Sequence, residues 1–366
     1  MVKVTALVII WLFIVNIFAL IVLNRFNLKT DSAYNWINPE SFSQNQSWDL
    51  ISLHSRWDSV WYLDIARNGY IYNGADKLSN IVFFPIYPAL IAVVSFFTLG
   101  NLALAGWIVS MVSLVIACIF IYKLVKEFHP TLDPYQVIFF LLIFPTAFFF
   151  NAVYTESLFL ALSVATFYFA LKKNFLLAGV IGLAASLTRI SGILIFIPIA
   201  WEYYEAMGFK KIFNLKFIPL LLIPLGTFCF FLYDYLAFGD WLLFFKVESL
   251  WGRQFMLNKE HFNLFSNPAL VNFSLDLAFV VLSFVASALS FKKLRISYGL
   301  YIFSTIIFAL SSGTTMSIGR YVLILFPTYI LASSFKNQLL KQLLILVSVL
   351  LLGMYITLFL NNYWAG

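Results

Sequence analysis

The chain has 366 residues, 62% of them hydrophobic and 11% charged. At a mean hydropathy of +0.92 no single water-soluble core hides that much apolar surface, so the solvent for most of it is lipid. The net charge of +7 does not mark a nucleic-acid binder, because the basic residues lie in short groups between apolar runs, where they set topology.

In chain order, the first apolar run covers residues 4–24. It is longer than the apolar core of a signal peptide and has no small-residue cleavage site after it, so it reads as a retained span. Further spans are predicted at 101–122, 135–151, 156–171, 175–190, 191–207, 217–236, 268–291, 297–312, 320–335 and 341–360, about eleven helices on a window of about 19 residues. The fold class is therefore an all-α polytopic membrane protein forming one membrane domain over 1–366. Within it, 25–100 is an outer loop, 101–236 a core module, 237–267 a second outer loop, and 268–366 the C-terminal helices.

Alternation of these spans puts five basic clusters on one side: Lys123 with Lys126; Lys172 with Lys173; Lys210, Lys211 and Lys216; Lys292, Lys293 and Arg295; and Lys336 with Lys341. With Lys3 they face only four acids there, Glu127, Asp133, Glu202 and Glu205. The positive-inside rule makes that side, and the N-terminus, cytoplasmic. Counting the apolar run at 81–99 as a crossing would reverse every later cluster. It is therefore predicted as an interfacial or partly embedded outer helix, started near Pro85 and Pro88. A second interfacial helix is predicted over 55–67, with Trp57, Trp61, Tyr62 and Ile65 at helical spacing.

Several chemistries lack support. Cys118 and Cys229 sit inside apolar runs, His54, His129 and His261 match no metal-ligand spacing, and no glycine-rich phosphate loop occurs. No metal, cofactor or nucleotide is called for. Polar residues nevertheless gather at the outer span ends: Asp58, the NAVYTE run at 151–156, Thr188 with Arg189, the loop 239–261, and the SSGTTMSIGR run at 311–320. Ionisable groups at membrane depth are expensive, and a shared side suggests one outward-facing cavity.

Each of these residues has two readings. Asp58 between aromatics, partly desolvated, suits a general base, but it also fits a helix N-cap. Glu156 either pairs with a helix dipole or binds acceptor hydroxyls. Arg189 and Arg320 either snorkel to headgroups or offer a guanidinium fork to phosphate, Arg320 being the better candidate. The FFPIYP run at 83–88 is an interfacial anchor or a substrate wall. Lys246, Arg253, Lys259 and His261 form a solvated loop or a cradle for an anionic headgroup.

The motifs WDxxWYxxIAxxGY at 57–70, FFPIYP at 83–88, YTESLF at 154–159, TRxxG at 188–192 and RYxxxxFP at 320–327 together resemble the PIG-V family of mannosyltransferases, over about residues 55–335. That resemblance implies the GT-C superfamily: a multi-span enzyme taking a hexose, mannose in the family, from a polyprenyl-phosphate donor at an extracytoplasmic site. It also implies two short helices in the first outer loop. The acceptor is a lipid, glycan or protein hydroxyl, with membrane lipids as the surroundings. By the resemblance Asp58 is the base, with Asp64 in reserve. Arg320, Arg189, Lys246 and Arg253 face the donor phosphate, and Trp57, Trp61, Tyr62, Tyr87, Tyr154 and Glu156 face substrate. The competing reading is a transporter or flippase of a lipid-linked sugar, which predicts polar groups through the membrane depth and internal repeats.

Overall fold

The computed structural model describes residues 1–26, 28, 51–208, 214–253 and 270–365. Lys210, Lys211, Lys259, His261 and most of the predicted loop segment 25–50 lie outside the described residues. Among the described residues all regular structure is helical. The helices are α1 (Val2–Arg25), α2 (Ser59–Asn68), α3 (Ile86–Ser95), α4 (Leu102–Phe128), α5 (Pro134–Leu142), α6 (Glu156–Leu171), α7 (Phe175–Ser186) and α8 (Phe196–Met207). They continue with α9 (Leu222–Phe238), α10 (Leu243–Leu250), α11 (Leu270–Lys293), α12 (Ile296–Ser311), α13 (Ile318–Leu323), α14 (Pro327–Ser334) and α15 (Gln338–Leu360).

The starts of several helices are written in local chemistry. Asn101, Asn174 and Asn337 each cap a first turn by accepting from the amide three residues on. Asp133 caps α5 by accepting from the amide two residues on, that of Tyr135, with Pro134 at the first helical position, where its missing N–H costs nothing.

Among the described residues five helices are long and apolar enough to cross a membrane: Val2–Arg25, Leu102–Phe128, Ile218–Phe238, Phe273–Lys293 and Gln338–Leu360. The other predicted spans are shorter or interrupted. Run 135–151 ends as α5 at Leu142 and resumes as a 3-10 turn at Ala147–Asn151, because Pro145 restricts Phe144 and removes a helical donor. Run 320–335 breaks before Pro327 into α13 and α14. Run 191–207 opens as a 3-10 stretch, Ile190–Ile195, before α8. The segment Ile86–Thr98 is about 20 Å long at 1.5 Å per residue, short of a bilayer core of about 30 Å. The other helix predicted as interfacial begins later than expected, at Ser59.

Close packing of α7 on α9 depends on small residues. A Cβ at Gly179 would lie 1.9 Å from the Pro219 carbonyl oxygen, and one at Gly226 2.7 Å from that of Leu183, so the backbones meet where side chains are absent. Farther in, Phe167 packs against Tyr298, Tyr301 and Phe326, joining α6 to α12 and α14.

The described charges divide between the two ends of this bundle. At one end Lys172 pairs with Glu127 at 2.9 Å, His129 Nε2 meets the Tyr298 hydroxyl at 3.2 Å, and Lys341 donates to Gln136 at 2.9 Å. There too Arg295 holds Glu202 bidentately at 2.9 and 2.8 Å, and Ser297 donates to the same carboxylate. Helix α6, with 16 residues, carries Glu156 about 24 Å away from that end. The second charged cluster is built around Glu156.

Candidate active site

Helix α2 buries Ser59, Tyr62 and Ile65 on one face, the helical spacing that seats it against α3 and α4. Tyr62 packs edge-on to Phe83 at 5.0 Å and to Tyr87 at 5.2 Å. Asp58 occupies the N-cap position of α2, yet its side chain makes no capping bond. Of the two sequence readings, side-chain capping is thus not what the carboxylate does. Trp57, just before it, takes a left-handed φ of 55°, a conformation costing a non-glycine residue about 1 kcal/mol. The Tyr154 hydroxyl pins this turn, donating to the Arg56 carbonyl at 3.1 Å and accepting from the Asp58 amide at 3.3 Å.

Released from capping, Asp58 Oδ2 accepts from Arg320 Nη1 at 2.5 Å across 262 residues of sequence. Arg320 Nε donates to Glu156 Oε1 at 2.6 Å, and Arg189 Nη1 donates to the same oxygen at 2.7 Å and to Thr155 at 3.2 Å. The Arg320 guanidinium lies 4.7 Å from the Tyr154 ring centre and 5.2 Å from that of Phe149. Side-chain exposure is 5% for Arg320, 12% for Arg189 and 0% for Glu156, so neither arginine snorkels to the headgroups. Two guanidinium and two carboxylate groups close a neutral network, whose value is positional more than stabilising.

Local backbone features present these groups. Gly192 packs where a Cβ would stand 2.5 Å from Ser186 Cα and from the Ala185 carbonyl oxygen, and only that approach lets the chain fold back after α7 to aim Arg189. Ser317, at a left-handed φ of 67°, precedes α13, and Thr146 donates to the Gly319 carbonyl at 2.9 Å, holding that turn.

A cavity of about 90 Å³ opens beside the network. Asp58, Arg189 and Arg320 line it together with Tyr62, Phe83, Phe84 and Thr188. Its other wall comes from Glu248 of α10 with Trp251 and Arg253 just after that helix, from Ser317 and Tyr321 of the α13 segment, and from Trp364. Arg253 donates to Ser317 at 3.3 Å and faces Glu248 at a loose 3.7 Å. Burial raises the Glu248 carboxyl above its usual range, against the opposing pull of Arg253. Burial also pushes the Tyr62 phenol up to about 12, keeping it a hydrogen-bond donor at neutral pH. Asp58 lines the cavity while its Oδ2 accepts from Arg320, so the carboxylate is both oriented by the network and presented to the cavity.

The remaining predicted site residues are placed as follows. Asp64 accepts from Asn80 at 2.8 Å and from Asn68 at 2.7 Å, tying α2 to the following loop, and does not line the cavity. Lys246 is exposed and pairs with Asp240 at 2.5 Å, outside the cavity. Tyr87 is fully buried, bonded to the Gly106 carbonyl and Ser110. Tyr154 and Glu156 form the layer behind the lining. Trp61 stands between Phe83 and Trp251, and Trp57 meets Trp364 edge-on at 5.3 Å. Among the described residues no group of three or more His, Cys, Asp or Glu is placed to hold a metal.

Tyr321 belongs to the RYxxxxFP motif, whereas Glu248, Trp251 and Trp364 carry no motif in the sequence. A usable signal existed for Trp364, since it follows the last apolar run on the side where the other polar clusters fall.

No protein-family model matches this chain, and no curated protein matches it. Among solved structures it is similar to an oligosaccharyltransferase of Archaeoglobus fulgidus, crystallised with zinc and sulfate, at 13% identity and a TM-score of 0.45. The similarity covers 97% of this chain and 53% of that one, so the chain spans about half the length of that neighbour.

Proposed function

We propose that this protein is a membrane glycosyltransferase of the GT-C type, moving a hexose from a polyprenyl-phosphate donor to an acceptor hydroxyl. One observation carries the reading. The five motif segments, scattered over residues 57–327, meet at one place: Asp58, Phe83 with Phe84, Thr188 with Arg189, and Arg320 with Tyr321 all line the same cavity, and Glu156 joins the two arginines behind it. A run of independent structural anchors has no reason to converge so. Mannose as the sugar and an extracytoplasmic site rest on the motif resemblance and the charge pattern.

In the proposed reaction the Asp58 carboxylate takes the proton from the acceptor hydroxyl as that hydroxyl's oxygen bonds to the anomeric carbon. The bond from that carbon to the phosphate oxygen breaks, its electron pair leaves with polyprenyl phosphate, and the configuration inverts. Arg320, held by Asp58 and Glu156, fixes the carboxylate's orientation. Arg253, more loosely paired, stands at the cavity wall, where a guanidinium stabilises the departing phosphate in a water-poor site. Tyr62 and Trp251 supply surfaces on which a sugar ring can rest.

The test uses purified protein in liposomes with a labelled polyprenyl-phosphate hexose and a panel of lipid, glycan and peptide acceptors. Release of polyprenyl phosphate with glycosylated product is expected, and Asp58→Asn should lower turnover at least about 100-fold while leaving the elution profile of the folded protein unchanged. Near-normal turnover in Asp58→Asn removes the base assignment. Movement of the intact lipid-linked sugar across the bilayer without product replaces the transferase with a flippase.

A further inference from the structure

Away from the charged network, a second cavity of about 240 Å³ lies between α5, α11, α14 and α15. Along α11 it extends from Phe279 to Leu289, about 15 Å at 1.5 Å per residue. At one end Phe144 packs tilted against Phe279 and edge-on to Tyr329. The other end is bounded by Leu289, Phe335 and Leu344. Leu282, Val285 and Val347 on its rim are half exposed or more, so the groove opens sideways between α11 and α15 toward the lipid. Its length and apolar lining suit a hydrocarbon chain.

The Phe335 end is also the basic end of the bundle. Lys293 Nζ lies 5.7 Å from the Phe335 ring centre, Lys292 and Lys336 are exposed beside it, and Lys341 donates to Gln136. None of these four lysines forms an ion pair with a described carboxylate, whereas Lys172 and Arg295 at the same end do. In a bilayer a tail gains little by exchanging lipid for leucine, so a groove alone selects no ligand. Uncompensated cations at its mouth do select, because an anionic headgroup gains electrostatic energy there.

We propose that this groove binds the acyl chain of an anionic membrane phospholipid, whose phosphate rests against Lys293 and its basic neighbours. The site is independent of the transferase reading: it lies on the opposite face of α13, whose Arg320 lines the charged cavity while Val322 lines the groove.

The experiment titrates the full chain, in neutral detergent micelles, with dioleoyl phosphatidylglycerol or dioleoyl phosphatidylcholine, reading bound lipid by native mass spectrometry and the shift in thermal unfolding. Phosphatidylglycerol is expected to bind more tightly, by about fivefold per lysine engaged. The double change Lys293→Gln with Lys336→Gln, on exposed side chains, should bring it down to the level of phosphatidylcholine. Ala286→Phe, which narrows the groove from α11, should weaken both lipids. Equal binding of the two lipids by the unaltered protein, or a preference that survives the double change, overturns the proposal. So does undiminished binding by folded Ala286→Phe, which would reduce the site to a surface charge patch. Displacement of phosphatidylglycerol by substoichiometric polyprenyl phosphate would reassign the groove to an isoprenoid tail and overturn it as well.

Discussion

Replacing Arg320 by Gln removes the cation that joins Asp58 to Glu156. The two carboxylates do not suffer equally. Glu156 keeps Arg189 at 2.7 Å, whereas Asp58 loses its one ion-pair partner among the described residues. Breaking a buried pair by removing one member costs about 3 to 5 kcal/mol. The Asp58 side chain is 13% exposed and borders the cavity, so water relieves part of the stranded charge and the lower bound, about 3 kcal/mol, is the expectation. Adding Asp58→Asn to Arg320→Gln removes that charge and should recover about 1 to 2 kcal/mol, although Asp58→Asn alone destabilises. Unfolding in mixed micelles, followed by tryptophan fluorescence for the four proteins of this cycle, measures the coupling. A coupling energy below about 0.5 kcal/mol, the level of unconnected sites, would refute the idea that Arg320 orients Asp58.

Burial lowers His54 from 6.5 to about 4, with the Arg56 charge adding to the shift and a bond to the Asn151 backbone opposing it. The folded value lies below the unfolded one, so the stability held above pH 6.5 is lost as pH falls toward 4, by about 3 kcal/mol. His54→Gln should flatten that part of the pH–stability curve, and an unchanged slope would count against the burial argument. Asp64→Asn should weaken the packing of α2 through Asn80 and lower the unfolding midpoint while turnover stays within about threefold, whereas loss of turnover with normal stability would make Asp64 the base. Gly192→Val forces Cβ into the Ser186 backbone and should cost at least about 2 kcal/mol, with loss of activity because Arg189 is displaced. Gly179→Val, facing the Pro219 carbonyl away from the cavity, should destabilise comparably, so a folded Gly192→Val protein with full turnover would disprove the positioning role.

The helical class, the membrane as solvent and the gathering of polar residues at one end of the spans were legible in the residues themselves. They depend on composition and on charge counted along the chain, and neither needs contacts. Asp58 was legible too, since an acid among aromatics in an oily sequence stands out whatever its partners. Prolines at 145 and 327 are equally visible, but how far each shortens a run depends on what the freed backbone groups meet, and the helices beside them are shorter than the apolar runs.

Only the tertiary structure decided what the charges do. Arg189, Arg320 and Glu156 each had a plausible local role as a headgroup anchor or a dipole partner. Neither arginine takes it, and Glu156, in the first turn of α6 as a dipole partner should be, also holds both arginines, because three-dimensional packing supplies a nearer opposite charge, over 100 residues away in sequence for the Arg320 pairs. The same packing moved Tyr87 and Asp64 off the cavity and brought Glu248, Trp251 and Trp364 to related positions near Asp58. Pattern along a chain reports which side of a helix or membrane a residue prefers. Which two side chains touch is set by how helices cross, and glycines such as Gly179 and Gly226 fix that crossing only once their partners are known.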